Sequence, residues 1–275
     1  KHILKKSGTV RLPCVHHLAL PFHRSPATSM MKKLIIKPFK SKPQLPEDFE
    51  AKTWAKLQMA VRSVYQKSAA TESKEDLYRA VEDMCMHKLG ESLYNKLRDE
   101  CAMFIHMSVD SLIAKTSDNA VFLGLVDQVW RDHCEHMNTL RNIFLFLDRS
   151  YALETIGVQS IWEVGLTLFK NRLESRADVE TMLIVGLLAT IESDRIGQTF
   201  EEDTIKRLLR MLTALGQYKT KFEDPFLKDS ERFFVKEGQA MALMSDPADF
   251  LVHIERRLAE AVEMTNRYLH PSSKG

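Results

Sequence analysis

Long apolar runs are missing from this sequence; nothing approaches the about 20 consecutive apolar residues that a membrane-spanning helix needs. A basic excess is missing as well. The net charge of +2 argues against a general nucleic-acid binder, which carries a large surplus of Lys and Arg. Cysteine occurs only at Cys14, Cys85, Cys101 and Cys134, with no CxxC pair and no disulfide-framework spacing. These read as reduced thiols of an intracellular protein. There is no Gly-rich phosphate loop, no GxSxG elbow and no HExxH. The cluster of His133, Cys134 and His136, like the pair Cys85 and His87, reads as ordinary helix residues, because ligands so spaced on a helix converge poorly. His16, His17 and His23 could chelate a metal only incidentally. No catalytic residue, metal or cofactor is therefore expected.

Helix breakers are scarce where they would matter. Six of the nine prolines precede Glu47 and one lies near the far end, so only Pro225 and Pro247 interrupt residues 47–269. Nearly all of that length is free to be helical, and the expected fold class is all-α. Residues 1–46 are a separate compositional unit. They contain six prolines and no Asp or Glu, and read as a flexible basic arm. The arm is basic and acid-free like a mitochondrial transit peptide, but its prolines would break the amphipathic helix such a peptide uses. Met30 or Met31 could be a natural start. Within the arm, Leu34, Ile35 and Ile36 are consecutive apolar residues. They fit either a short contact with the chain's own body or a peptide that docks extended on a partner.

The periodicity predicts ten helices in two sets of five. The first set covers residues 49–67, 74–87, 91–115, 119–137 and 138–153, with Ser73 as N-cap of the second helix and a break at Gly157. The second covers 160–172, 178–195, 202–216, 225–244 and 247–269. Trp54 and Trp162 each lie in the first helix of a set. Two stacked helical units of the solenoid kind are expected, over 47–156 and 157–270, with 271–275 as the chain's end.

Two of these helices have more than one apolar face. In 138–153, Leu140, Ile143, Phe144, Leu147 and Tyr151 form a core stripe at helical spacing, and Val121, Phe122, Leu125, Val129 and Trp130 do the same in 119–137. Phe146 and Leu153 fall away from the first stripe and must meet a second surface, either another layer of the same domain or a partner. The second helix buries Leu77, Ala80, Val81 and Met84 and carries another line at i+4 spacing, Lys74, Tyr78, Glu82 and Met86. Tyr gives a large contact area at low entropic cost. Tyr78 and Phe146 together could form one binding platform.

At these residues the chain resembles a known family. LYRAVEDMCMHKLGESLYNKL (77–97), IFLFLDRSYAL (143–153) and SIWEVGLTLFKNRL (160–173) are similar to the amino-terminal region of cullins. KKLIIKPFKSKPQLPEDFEAKTWAKL (32–57) and GQYKTKFEDPFLKDSERFFVKEGQ (216–239) place the resemblance nearest the cullin-4 type. The match runs in register over 32–269.

The resemblance implies a rigid, non-catalytic scaffold of a cullin-RING ubiquitin ligase, built of five-helix repeats and working in the cytoplasm and nucleus. It implies a first repeat that binds a substrate adaptor through its second and fifth helices. In the cullin-4 type that adaptor is the triple-propeller damaged-DNA-binding protein, and the segment before the first helix also inserts into it. The matching positions here are Lys74, Tyr78, Glu82, Met86 and Phe146, with Leu34, Ile35 and Ile36 in the arm. Glu82 stands where some other cullin classes carry an aromatic, which speaks against a BTB-type adaptor. The sequence stops near the close of the second repeat. The parts that bind the RING-box protein and accept the neddylation modifier lie beyond it, so this stretch is expected to do neither. Two other readings stay open: a truncated cullin competing for the adaptor without turnover, and a generic helical tether.

Overall fold

The computed structural model describes residues 45–69, 72–113, 118–244 and 246–274. Residues 45–275 form one unit of packed helices, and no strand occurs among the described residues. The all-α expectation holds. The helices are α1 (Phe49–Tyr65), α2 (Lys74–Met86), α3 (Gly90–Asp110), α4 (Asn119–Ile143), the single turn α5 (Leu145–Leu147), α6 (Ile161–Ser175), α7 (Ala177–Arg195), α8 (Glu202–Ala214), α9 (Asp224–Met244) and α10 (Pro247–Tyr268). π-helical turns follow α5 (Asp148–Ala152) and α8 (Tyr218–Glu223).

Local sequence explains four of the helix starts. Ser73 caps α2, its side chain accepting from the Asp76 amide at 3.1 Å, and Glu75 and Asp76 complement the positive end of the helix dipole. Ser160 and Glu163 form a reciprocal capping box at the start of α6. Asp118 caps α4, and Pro247 opens α10 where a missing N–H costs nothing. Gly157 ends the first set with φ of +84°, a left-handed conformation that favours glycine.

Two apolar cores hold the helices together. One gathers Leu57, Val61, Leu77, Val81, Met84, Leu93, Leu97, Leu140, Phe144 and Leu147, closed by Ile161 and Val164 at the start of α6. The other gathers Val109, Phe122, Trp130, Phe169, Leu173, Val179, Leu183, Leu208, Leu212 and Phe222. α4 and α6 contribute to both. Each such fully buried Leu or Phe contributes on the order of 1.5–3 kcal/mol. α4 is also clamped to α8 by charge. The carboxylate of Asp127, almost wholly buried, accepts from Nε and Nη2 of Arg207 at 2.8 and 2.9 Å, and Arg131 Nε lies 3.1 Å away.

Three expectations need correction. The fourth helix does not stop at residue 137; it runs on to Ile143, because no Gly or Pro lies between 137 and 143 and Leu140 and Ile143 continue its buried stripe. Residues 138–153 are then not one helix. The chain bends at Phe144 (φ −94°, ψ 23°), makes the short turn α5 and widens into π-helix. Buried Phe144, Leu147 and Asp148 fix that path through packing that local sequence does not announce. Val121, expected on the core stripe of α4, is more than half exposed in the helix's first turn. Between the helices expected at 202–216 and 225–244, Tyr218–Glu223 form the second π-turn, with Tyr218 and Phe222 buried.

Candidate functional site

α2 and the segment from the end of α4 through the first π-turn lie side by side and run in the same direction. Lys74 shares a cleft with Asn142 and Ile143. One turn on, the ring of Tyr78 meets that of Phe146 edge to face, with centroids 6.2 Å apart. Further along, the half-buried thiol of Cys85 lies near the side chain of Ser150, and burial pushes its pKa up. The first core lies beneath this pair of elements, since Leu77, Val81 and Met84 point inward from α2 as Phe144 and Leu147 do from the other side.

The residues of the second line on α2 all reach the surface. Lys74 and Tyr78 are exposed, Glu82 is half-buried and Met86 is 71 % exposed. Phe146 is half-buried, packed on one side against the core. Lys74 and Glu82 form no ion pair among the described residues. The face therefore presents a cation, an edge-to-face aromatic pair, a carboxylate and a thioether in sequence along one helix. An aromatic pair backed by a core and flanked by surface charges suits protein contact. The structure brings Tyr78 and Phe146 together and sets Lys74, Glu82 and Met86 along the same helix. Leu34, Ile35 and Ile36 lie outside the described residues.

Periodicity alone did not mark what holds this face in place. Ser150 Oγ donates to the Phe146 carbonyl at 2.7 Å. Asp148 is 3 % exposed, and its Oδ1 accepts from the backbone amide of Ile161 at 2.8 Å. Tyr94 donates to the carbonyl of Gln159 at 2.8 Å and its ring lies against that of Tyr151, tying the same corner to α3. A buried Asp in an otherwise apolar run is the one sequence signal that could have found Asp148. At the end of the π-turn, Leu153 and Ile156 are strongly exposed.

The histidines of α4 serve packing. His133 packs against Trp130 and Phe169, with centroids at 5.6 and 4.9 Å, and those two rings also touch each other; burial lowers its pKa to about 4. His136 meets the edge of Tyr65 at 4.8 Å. Among the described residues no group of His, Cys, Asp and Glu is placed to hold a metal ion, and no helix is long and apolar enough to cross a membrane.

Comparison with known proteins agrees with the helical architecture. The family model described as the cullin alpha solenoid domain matches residues 54–275. The chain is 36 % identical to Cullin-4A of Homo sapiens over 243 residues, which cover 88 % of this chain and 32 % of that protein. It is 36 % identical to Cullin-4 of Dictyostelium discoideum over 246 residues (88 % and 30 %). Against Cullin-3A of Arabidopsis thaliana the identity is 29 % over 241 residues (87 % and 32 %). The chain spans about a third of the length of the curated relatives it matches. With a family model covering most of its length on a fold of stacked helices, the chain belongs to the cullin family.

Proposed function

We propose that this chain is the adaptor-binding part of a non-catalytic cullin scaffold in a ubiquitin ligase. It holds a substrate receptor at a fixed distance from a separate transfer module, so that transfer gains from proximity and not from side-chain chemistry on this chain. The division into a first repeat at 47–156 and a second at 157–270 belongs to this reading. The first repeat carries the contact and the second extends the rigid arm.

The observation that carries the reading is the Tyr78–Phe146 pair. Two aromatics from separate elements meet at the surface, supported by a buried core, on the second helix and the aromatic turn of a cullin fold. The greater identity to cullin-4 relatives than to a cullin-3 relative favours the triple-propeller damaged-DNA-binding adaptor over a BTB-type one. Met86 and Lys74 extend the contact along α2, and Leu34, Ile35 and Ile36 of the arm add area at a cost in ordering entropy. Co-elution of the purified chain with each of three adaptors (triple-propeller, Skp-type and BTB-type) tests the assignment. A complex with the propeller protein alone supports it, and a complex with a BTB-type adaptor alone contradicts it.

A further inference from the structure

Asp148 is the best-buried carboxylate near the aromatic platform, and its partner is a backbone amide 13 residues away. Ile161 is the first residue of α6, so its N–H is one of those no intrahelical carbonyl can satisfy. The capping box of Ser160 and Glu163 does not reach it, because Ser160 Oγ takes the Glu163 amide and Glu163 takes the Ser160 amide. Asp148 fills the gap from outside the helix and sets a carboxylate at the positive end of the dipole. Its second oxygen lies 3.7 Å from Arg141 Nε on α4. One carboxylate thus touches the last turns of α4 and the first turn of α6 while sitting two residues from Phe146.

Asp148 also opens the π-turn. Its carbonyl accepts from the amide of Leu153, five residues on, at 3.0 Å. A π-turn carries an extra residue and changes the direction in which following side chains point, and such turns recur at functional sites. Here Phe146, before the turn, faces Tyr78, while Tyr151, within it, packs against Tyr94 and comes within 3.3 Å of where a side chain on Gly90 would begin.

We infer that Asp148 is a positioning residue: by holding the start of α6, it sets the angle at which Phe146 is presented against Tyr78 for the adaptor. The inference rests on the scaffold reading for its partner but not for its geometry, and the test separates the two. The rings of Tyr78 and Phe146 should show a through-space NMR contact in the wild-type chain. Asp148→Ala should weaken that contact and lower affinity for the triple-propeller adaptor about tenfold, the scale of one lost buried hydrogen bond. Asp148→Asn keeps an oxygen for the Ile161 amide and should restore both to within about twofold. Arg207→Ala loosens α4 from α8, far from the platform, and should lower stability while changing neither readout.

If Asp148→Ala does not fold, Ile161→Pro removes the same hydrogen bond from the donor side. Proline suits the first helical position, and Ser160 already has the extended conformation that precedes proline. It should weaken the ring contact as Asp148→Ala would. An intact ring contact with unchanged affinity in a folded Asp148→Ala or Ile161→Pro chain would overturn the inference. If the wild-type chain does not bind the adaptor, the scaffold reading fails, and the ring contact alone still decides the role of Asp148.

Discussion

The rings of Tyr78 on α2 and Phe146 on α5 meet almost perpendicularly, at 89°, so each is held by the other as well as by the core below. Edge-to-face pairs of this kind are coupled by about 0.5–1.5 kcal/mol beyond their area. Tyr78→Ala and Phe146→Ala should therefore not be additive in a double-mutant cycle on adaptor binding. The double variant should keep the wild-type circular dichroism of a helical protein and lose more than about a hundredfold in affinity, as removal of central aromatic anchors does. A folded double variant that binds as tightly as wild type would remove these residues from the interface.

Arg207→Ala leaves the buried Asp127 with only Arg131 as an ionic partner among the described residues. Losing two charge-assisted hydrogen bonds to a buried carboxylate should cost about 1–3 kcal/mol. The melting temperature should fall by several degrees, at about 2–4 °C per kcal/mol for a unit of this size. Adaptor affinity should be unaffected, because the clamp joins α4 to α8 and touches neither α2 nor α5. Calorimetry and a binding titration on one preparation check both halves of the prediction.

Two glycines should respond oppositely to alanine. Gly124 lies on the exposed side of α4 with open space where a side chain would go, so Gly124→Ala should stabilise by about 0.5–1 kcal/mol through helix propensity alone. Gly165 is buried on α6, and a Cβ there would come within 2.8 Å of the Met137 side chain on α4. The same propensity gain is then set against overpacking of about 1–3 kcal/mol. Gly165→Val should be clearly destabilising. Chemical denaturation of the three variants measures the contrast.

Acid should weaken the fold through His133. Its folded pKa of about 4 lies below the unfolded value near 6.5, so the unfolded chain binds a proton that the folded chain refuses. The stability from the neutral imidazole is full above about pH 6.5 and is lost as pH falls toward 4, by roughly 3 kcal/mol in all. His136, also shifted down by burial, adds in the same direction. His133→Phe, which keeps a ring against Trp130 and Phe169, should flatten the profile between pH 6.5 and 4. An unchanged slope would show that other groups carry it.

Most of the helices are legible in the sequence because their buried faces repeat at 3.6 residues, and α2, α4 and α6 also start on a capping side chain. The buried residues of α2 (Leu77, Ala80, Val81 and Met84) are the stripe its spacing predicts, and Ser73 is the cap expected. The misread stretch was 138–153, where an unbroken apolar pattern hides a bend at Phe144 and a π-turn at Asp148–Ala152. The bend is imposed from outside the segment, by the Ile161 amide and by the core under Phe144 and Leu147. Phe146 does turn toward Tyr78 while Phe144 and Leu147 are buried, but the bend at Phe144, and not the spacing along a single helix, sets that direction. The pairing of Tyr78 with Phe146 was beyond periodicity, which gives the face of each element but not the register between two of them.

The most direct test of the scaffold reading is a titration of the purified chain, with and without residues 1–46, against the triple-propeller adaptor, with Skp-type and BTB-type adaptors as controls. Tight binding to the propeller protein alone is expected, weakened but not lost when residues 1–46 are removed, and lost with Tyr78→Ala and Phe146→Ala together. Absence of binding to all three adaptors would contradict it, leaving the family relationship to describe the fold and not the partner.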